Sequence, residues 1–108
     1  MTECKDHGAC PSVALGQEII EKEMSSLVTW SLSPDSKMIF REFKFKNFKE
    51  ALEFTNKIGV IAEEMNHHPD ILLKWGLVKV DYSTHNAGGL TEMDFEAAKR
   101  IDSLIESH

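Results

Sequence analysis

The sequence predicts an α+β fold: a two-layer sandwich in which a four-stranded antiparallel sheet carries three helices on one face. Apolar residues recur with helical spacing in three segments of the chain. Between these segments lie two pairs of short apolar or alternating runs. Each pair is separated by a turn signal, which is typical of β-hairpins. The predicted order of elements is therefore α-β-β-α-β-β-α.

The first helix and the first hairpin are predicted from residues 15–46. Apolar residues with helical spacing stand at positions 15, 19, 20, 24 and 27. Residues 28–33 are predicted to form a strand, and a turn signal follows at Pro34. Residues 37–46 are predicted to form a longer strand that pairs with the first as a hairpin.

The long central helix is predicted to begin after Asn47 and to end at about Asn66 or His67. Asn47 is a suitable N-cap, and Glu50 three residues later completes a capping-box pattern. Pro69 cannot continue a helix, and it pushes the residue before it toward an extended conformation. The sequence therefore predicts both ends of this helix.

The second hairpin and the last helix complete the predicted order. Residues 71–74 and 77–84 are predicted to be its two strands, and the longer strand alternates so that one apolar face holds Val78, Val80 and Tyr82. A loop is expected at residues 86–89. Thr91, with Asp94 three residues later, resembles an N-cap pair, so the last helix is expected to begin there.

Length and composition indicate one small globular domain at residues 13–108, preceded by a flexible tail at residues 1–12. The formal net charge of −6 disfavours direct binding to nucleic acid, because an acidic chain repels the phosphate backbone. No apolar run reaches about 18 residues, so no membrane-spanning helix is expected. The first residues lack the apolar region of a secretory signal, so the expected compartment is the cytoplasm.

The tail contains Cys4, His7 and Cys10, which suggest a three-ligand metal clip. The segment has neither CxxC spacing nor a second ligand pair. We favour the alternative interpretation, an unstructured tail with reduced thiols.

Three histidines are the candidates for chemistry. His67 and His68 follow the long helix, and His85 ends the last strand. Neighbouring residues cannot point the same way, so the first two should present their imidazoles to different parts of a pocket. Histidine suits proton transfer near neutral pH, and the dipole at a helix C-terminus favours a protonated His67. The alternatives are a solvated helix cap and a solvated strand end.

The acidic residues near these histidines also have two interpretations. Glu63 could be an ordinary exposed helix residue, and the capping role alone would explain Asp94. Either could join the three histidines around zinc, but the usual pair of ligands at i and i+4 on one helix face is missing, so no metal is expected. The sequence also lacks a nucleophile elbow, a glycine-rich phosphate loop and a CxxC pair, so covalent, nucleotide and redox chemistry are weakly supported.

Two segments carry a family resemblance. Residues 63–69 (EEMNHHP) and 78–85 (VKVDYSTH), with Trp75 between them, closely resemble the active-site signature of the pterin-4a-carbinolamine dehydratases. The segments at residues 39–48 (IFREFKFKNF) and 89–98 (GLTEMDFEAA) also resemble that family. The resemblance extends over about residues 15–107. A lone HHP is a weak signal, whereas HHP with the later THxxxGL pattern is a strong one.

The resemblance implies a reaction and a set of site residues. The family converts 4a-hydroxytetrahydrobiopterin, or a related pterin carbinolamine, to the quinonoid dihydropterin and water, by general acid–base catalysis without a cofactor. It implies His67, His68 and His85 as catalytic residues, with His67 as the first choice for proton transfer at the pterin ring. The substrate-binding residues that it implies are Glu63, Asn66, Pro69, Thr84, Asn86, Ala87 and Asp94.

The chain departs from the animal members of the family at Asn66, Met93 and Ile71, where Asp, Arg and an aromatic residue are common. These departures affect substrate details more than the reaction. The resemblance also implies a homodimer or homotetramer and a functional link to an aromatic amino-acid hydroxylase. Two alternatives stay open, a dimerisation cofactor of a homeodomain transcription factor and a pterin-binding protein of another pathway, such as molybdopterin metabolism.

Overall fold

The computed structural model describes residues 13–106 and confirms the predicted order of elements. The helices and strands are α1 (Gln17–Met24), β1 (Ser31–Leu32), β2 (Ile39–Lys44), α2 (Phe48–Met65), β3 (Asp70–Lys74), β4 (Leu77–Tyr82) and α3 (Glu92–Glu106). A short 3₁₀ helix at His85–Ala87 connects β4 to the segment before α3. The tail at residues 1–12, with its cysteines and histidine, lies outside the described residues, and its predictions stay untested.

The four strands form one antiparallel sheet in the order β1-β2-β4-β3. The strands of each predicted hairpin pair with each other, β1 with β2 and β3 with β4. The two hairpins join where β2 pairs with β4. In that central pair Ile39 lies opposite Tyr82, and Phe43 lies opposite Val78. This register brings the turn before β2 next to the chain that leaves β4, where the histidine-containing 3₁₀ helix begins.

The hydrophobic core lies between one face of the sheet and the helices. The predicted apolar face of β4 is confirmed, since Val78, Val80 and Tyr82 are fully buried. Phe54 and Ile58 of α2 belong to the same core cluster, together with Phe95 and Ile101 of α3. Ile20 of α1 also belongs to this cluster, so all three helices contribute to one core against the sheet, as expected for a two-layer architecture.

The two ends of α2 explain how the histidine pair is positioned. The Asn47 side chain accepts a hydrogen bond from the Glu50 backbone at 2.8 Å, which confirms the predicted N-cap. At the other end Asn66 has the left-handed conformation (φ 51°, ψ 42°), and the next amide, of His67, donates to the Ala62 carbonyl at 3.0 Å. Asn tolerates this conformation better than most residues, and the bonds form a Schellman motif that ends the helix.

Several predicted boundaries were wrong. The strand predicted at residues 28–33 is reduced to Ser31–Leu32, because the chain before it turns and buries Trp30 in the core. The indole Nε1 of Trp30 donates to Asp102 of α3 at 2.8 Å, which is a long-range contact that local strand propensity does not reveal. The β2 and β4 strands are also shorter than predicted. The loop expected at residues 86–89 overlaps the 3₁₀ helix at His85–Ala87.

None of the helices in the described part of the chain combines the length and the apolar character needed to cross a bilayer.

Candidate active site

His67 is buried beside the start of α3. Only 6% of the residue is exposed to solvent, and its Nε2 lies 2.6 Å from Oδ1 of Asp94. The imidazole stacks on the ring of Tyr82 with a centroid distance of 5.1 Å, and the Tyr82 hydroxyl donates to the His67 carbonyl at 2.9 Å. Contacts from β4 and α3 thus hold both the ring and the backbone of His67.

Asp94 is fully buried, and the described residues provide a partner for each of its oxygens. Oδ1 faces His67, whereas Oδ2 accepts from the Thr91 backbone amide at 2.9 Å and from the Thr84 hydroxyl at 2.8 Å. The bond from Thr91 confirms the predicted capping relation. The bond to His67 gives the same carboxylate a second partner, which local sequence spacing did not indicate.

Thr84 and Thr91 extend this network, since their hydroxyl oxygens lie 2.9 Å apart and both residues are buried. Four of the five buried polar or charged residues that the structure describes, His67, Thr84, Thr91 and Asp94, therefore form one hydrogen-bonded cluster. A buried carboxylate costs free energy unless it is paired and hydrogen-bonded. This cluster satisfies Asp94 completely and orients the imidazole.

Tyr82 remains neutral beside this cluster. Burial, and in second place the negative charge of Asp94, raise the pKa of the Tyr82 phenol well above its usual range. The phenol therefore keeps its proton at neutral pH and donates it to the His67 carbonyl.

His68 faces solvent, in contrast to its neighbour. Its side chain is 52% exposed, and its Nε2 lies 2.6 Å from Oε2 of Glu63, one turn back on α2. Both residues line a cleft of about 560 Å³ whose wall also contains Pro69 and Ile71. The cleft thus combines an apolar wall with a hydrogen-bonded pair of polar side chains.

His85 is exposed and lines a second, smaller cleft. This cleft has a volume of about 250 Å³ and contains Lys37 together with the chain that surrounds the 3₁₀ helix. Gly88 ends that helix with φ 75°, a conformation that favours glycine. At Gly89 a side chain would approach the Cβ of Ala14 to 3.2 Å, so glycine permits the close packing there.

Lys37 lines the same small cleft as His85, and the sequence did not indicate it. It lies 48 positions before His85, in the turn before β2, and no local motif marks it. The register of β2 against β4 brings it there, because Ile39 pairs with Tyr82 and the two chains continue side by side. A prediction that β2 pairs with β4 would have placed Lys37 near His85. Local sequence patterns do not predict that pairing, because the long α2 separates the two strands in the chain.

The structure thus groups the predicted site residues in three places. His67, Asp94 and Thr84 lie in the buried cluster. Glu63, His68 and Pro69 line the larger cleft, and Asn66 forms the helix cap beside it. His85 lines the smaller cleft and begins the 3₁₀ helix that contains Asn86 and Ala87.

Residues 13–106 contain neither a direct contact among the three candidate histidines nor a cluster of metal ligands. No hydrogen bond or ring contact joins the three imidazoles to one another there. The same range contains no group of three or more His, Cys, Asp or Glu residues placed to hold a metal ion.

Comparison with known proteins identifies the family. Residues 13–104 match the family model described as Pterin 4 alpha carbinolamine dehydratase. A protein of Hahella chejuensis, named provisionally as a pterin-4-alpha-carbinolamine dehydratase, is 47% identical over 90 residues, which cover 82% of this chain and 80% of that protein. A protein of Sulfurisphaera tokodaii with the same provisional name is 43% identical over 91 residues, covering 84% of this chain and 96% of that protein.

Solved structures agree with this assignment. A crystal structure from Brucella melitensis, described as a transcriptional coactivator/pterin dehydratase, superposes with a TM-score of 0.79 at 29% identity and covers 83% of this chain and 96% of that one. A pterin dehydratase-like RuBisCO assembly factor of the alpha-carboxysome shares the fold at 23% identity, with a TM-score of 0.60 over 70% of this chain and 88% of that one. With these matches over most of its length, the chain belongs to the pterin 4 alpha carbinolamine dehydratase family.

Proposed function

We propose that this protein dehydrates 4a-hydroxytetrahydrobiopterin, the pterin 4a-carbinolamine, to the quinonoid dihydropterin and water, with histidines as general acid and base. The observation that carries the proposal is the buried pair of His67 and Asp94 at 2.6 Å, in a chain that belongs to the dehydratase family. A carboxylate that holds an imidazole in one orientation is a recurrent arrangement for proton transfer.

The reaction needs two proton transfers. The bond between C4a and the hydroxyl oxygen breaks, and the leaving hydroxide takes a proton to become water. The adjacent ring nitrogen loses its proton, and its electron pair forms the C=N bond. The protons balance, and no electron is gained or lost. Each positioned acid or base typically contributes about 10²–10⁴-fold to the rate.

In this proposal His67 is the base at the ring nitrogen. His68 and His85 assist departure of the hydroxyl group or orient the substrate. The exposure of both imidazoles supports their assisting role, since His68 lines one cleft beside Glu63 and His85 lines the other beside Lys37. Asn66, Pro69, Thr84, Asn86 and Ala87 line or support the binding region in the same proposal.

The wider context belongs to the proposal as well. The carbinolamine is a product of aromatic amino-acid hydroxylases, so we infer a functional link to such an enzyme and a cytoplasmic location. Self-association as a homodimer or homotetramer is supported by β3, an edge strand whose hairpin exposes Leu72 and Trp75 by 51% and 68%. Sedimentation equilibrium tests it, and a monomer at micromolar concentration would refute it.

A second candidate function is that of a non-catalytic interaction module. It is favoured by the Brucella melitensis structure, whose description joins coactivator and dehydratase. The measurement that separates the two functions is catalysis by the unmodified protein.

The experiment is a dehydration assay. An aromatic hydroxylase generates the carbinolamine, and absorbance follows the quinonoid dihydropterin above the spontaneous rate. His67→Gln is compared with wild type and with His67→Ala, because Gln retains an N–H group for Asp94 whereas Ala leaves a buried oxygen unpaired. We expect acceleration by wild type and loss of at least about 100-fold in both variants. No acceleration by wild type would refute the dehydratase function and favour the interaction module.

A further inference from the structure

We infer that His67 reacts through Nδ1, and that Thr84 acts through Asp94 as a positioning residue that controls how readily this imidazole takes up a proton. The catalytic part of this inference rests on the proposed function. The assignment of the hydrogen to one ring nitrogen does not, because it follows from the hydrogen bonds alone.

The positions of the hydrogens follow from the donors that surround Asp94. The backbone amide of Thr91 can only donate, and it points to Oδ2. The Thr84 hydroxyl also donates to Oδ2, and since it has a single hydrogen, the Thr91 hydroxyl must donate to the Thr84 oxygen 2.9 Å away. Two donors at Oδ2 stabilise the ionised carboxylate, so Oδ1 accepts a hydrogen from Nε2 of His67.

The second ring nitrogen is the one left for chemistry. Nδ1 of His67 has no hydrogen-bond partner among the described residues, and 7% of the side chain remains accessible. In the neutral imidazole Nδ1 then carries the lone pair. When it takes the proton of the pterin ring nitrogen, the positive charge that forms is stabilised by the carboxylate at 2.6 Å on the other side of the ring.

Thr84 is suited to control this step because it connects the two histidine regions. Its side chain holds Asp94, and its backbone carbonyl accepts from the Ala87 amide at 3.1 Å in the 3₁₀ helix that begins at His85. Without the Thr84 hydroxyl, Oδ2 of Asp94 loses one hydrogen-bond donor. The less stabilised carboxylate then interacts more strongly with a protonated His67. The pair of His67 and Asp94 then binds a proton more tightly.

The other titratable groups around His67 do not replace this effect. Tyr82 of β4 stacks on the ring, but its phenol stays neutral. His68 follows in the chain and is paired in solvent with Glu63 of α2. His85 lies one residue beyond Thr84 and faces its own cleft. Asp94 of α3 is the charged group in contact with the imidazole.

The first test measures ¹⁵N chemical shifts of the histidine rings in the whole protein, with His67→Gln used for assignment. We expect neutral His67 to carry its hydrogen on Nε2. A hydrogen on Nδ1 would overturn the inference whatever the activity. The expected tautomer in a protein without dehydratase activity would instead refute only the proposed function.

The second test compares Thr84→Val, which retains the shape but lacks the hydroxyl, with Thr84→Ser. We expect the NMR titration midpoint of His67 in Thr84→Val to rise by about one pH unit, as loss of one hydrogen bond to a charged group implies. The acidic limb of the pH profile of kcat/KM should move by the same amount. At pH values on the acidic side of the limb kcat/KM should therefore fall about tenfold, whereas its plateau value at higher pH should stay the same. Thr84→Ser should restore both values.

The matched control is Thr55→Val, which removes a half-buried hydroxyl that bonds within α2, away from the site. It should leave the midpoint and the profile unchanged. If Thr84→Val does not fold, Thr91→Val removes the next hydroxyl of the chain and should produce a smaller upward shift. An unchanged midpoint in the folded variants, or a rate reduced equally at every pH, would show that Thr84 is merely structural and would overturn its assigned role.

Discussion

The substitution Asp94→Asn tests the proposed catalytic role of the His67–Asp94 pair most directly. An amide has the shape of the carboxylate but offers one acceptor oxygen. The donors from Thr84 and Thr91 require that oxygen at the position of Oδ2, so the amide NH₂ must face His67. Nε2 of the imidazole then has to accept, and its hydrogen moves to Nδ1, the atom that should take the substrate proton.

The expected loss is large because the change inverts the tautomer and also removes the charge that stabilises the imidazolium. The same exchange of carboxylate for amide in serine proteases lowers kcat by about 10⁴-fold. We expect kcat to fall by about 10³–10⁴-fold here, equivalent to about 4–5 kcal/mol of transition-state stabilisation. Folding should survive, because the hydrogen bonds of Asp94 are replaced by neutral ones at a cost of about 1–2 kcal/mol.

The assay combines dehydration kinetics with urea unfolding. Asp102→Asn is the matched control, since Asp102 also accepts two side-chain donors, from Trp30 and Arg41, but lies outside the site. It should lose a similar amount of stability and keep its kcat. If folded Asp94→Asn retained kcat within tenfold of wild type, the proton-transfer role of the pair would be refuted.

Three further substitutions test other parts of the structure. If the charge of Lys37 contacts substrate, Lys37→Met should raise KM about tenfold with little change in kcat. Lys49 is exposed on α2, so the control Lys49→Met should change neither value. Equal kinetics for the two variants would show that Lys37 does not contact substrate. Asn66→Ala should lower the free energy of unfolding by about 1 kcal/mol in urea titrations and Asn66→Gly by less, because the position is left-handed; the reverse order would contradict the cap assignment. The Ser33 hydroxyl, followed by the Lys37 backbone amide, lowers the pKa of Asp35 below its ordinary value of 3.8, so its contribution to stability is present above that pH and is lost as the pH falls. Between pH 2 and 5, the melting temperature should therefore depend less on pH in Asp35→Asn than in wild type, and the same pH dependence in both proteins would refute the contribution.

Local signals in the sequence were sufficient for most of the fold. The cap at Asn47 and the proline after the histidine pair fixed both ends of α2, and strict alternation fixed the buried face of β4. Trp30 shows why β1 was mispredicted. Its neighbours have strand propensity, but burial of the indole against Asp102, 72 positions away, outweighs that propensity.

The site was predictable only in part, for a related reason. The signature marks His67 and His85, and capping marks Asp94, but the contact between His67 and Asp94 joins residues 27 positions apart. Thr84 was predicted as a substrate-binding residue, whereas its side chain proves to be part of the buried cluster. Such pairings depend on how β4 and α3 pack against the end of α2, and spacing along the chain does not encode them.

The histidine pair shows how one backbone turn creates two different chemical environments. The left-handed Asn66 ends α2, and the two residues that follow point to opposite sides. Both imidazoles lie 2.6 Å from a carboxylate oxygen, yet the His67 side chain is 7% exposed and that of His68 is 52% exposed. Salt and water screen the exposed pair but not the buried one. His67 therefore has a fixed orientation and a carboxylate partner shielded from solvent, as its proposed proton-transfer role requires. In the same proposal, the exposed His68 exchanges Glu63 for substrate.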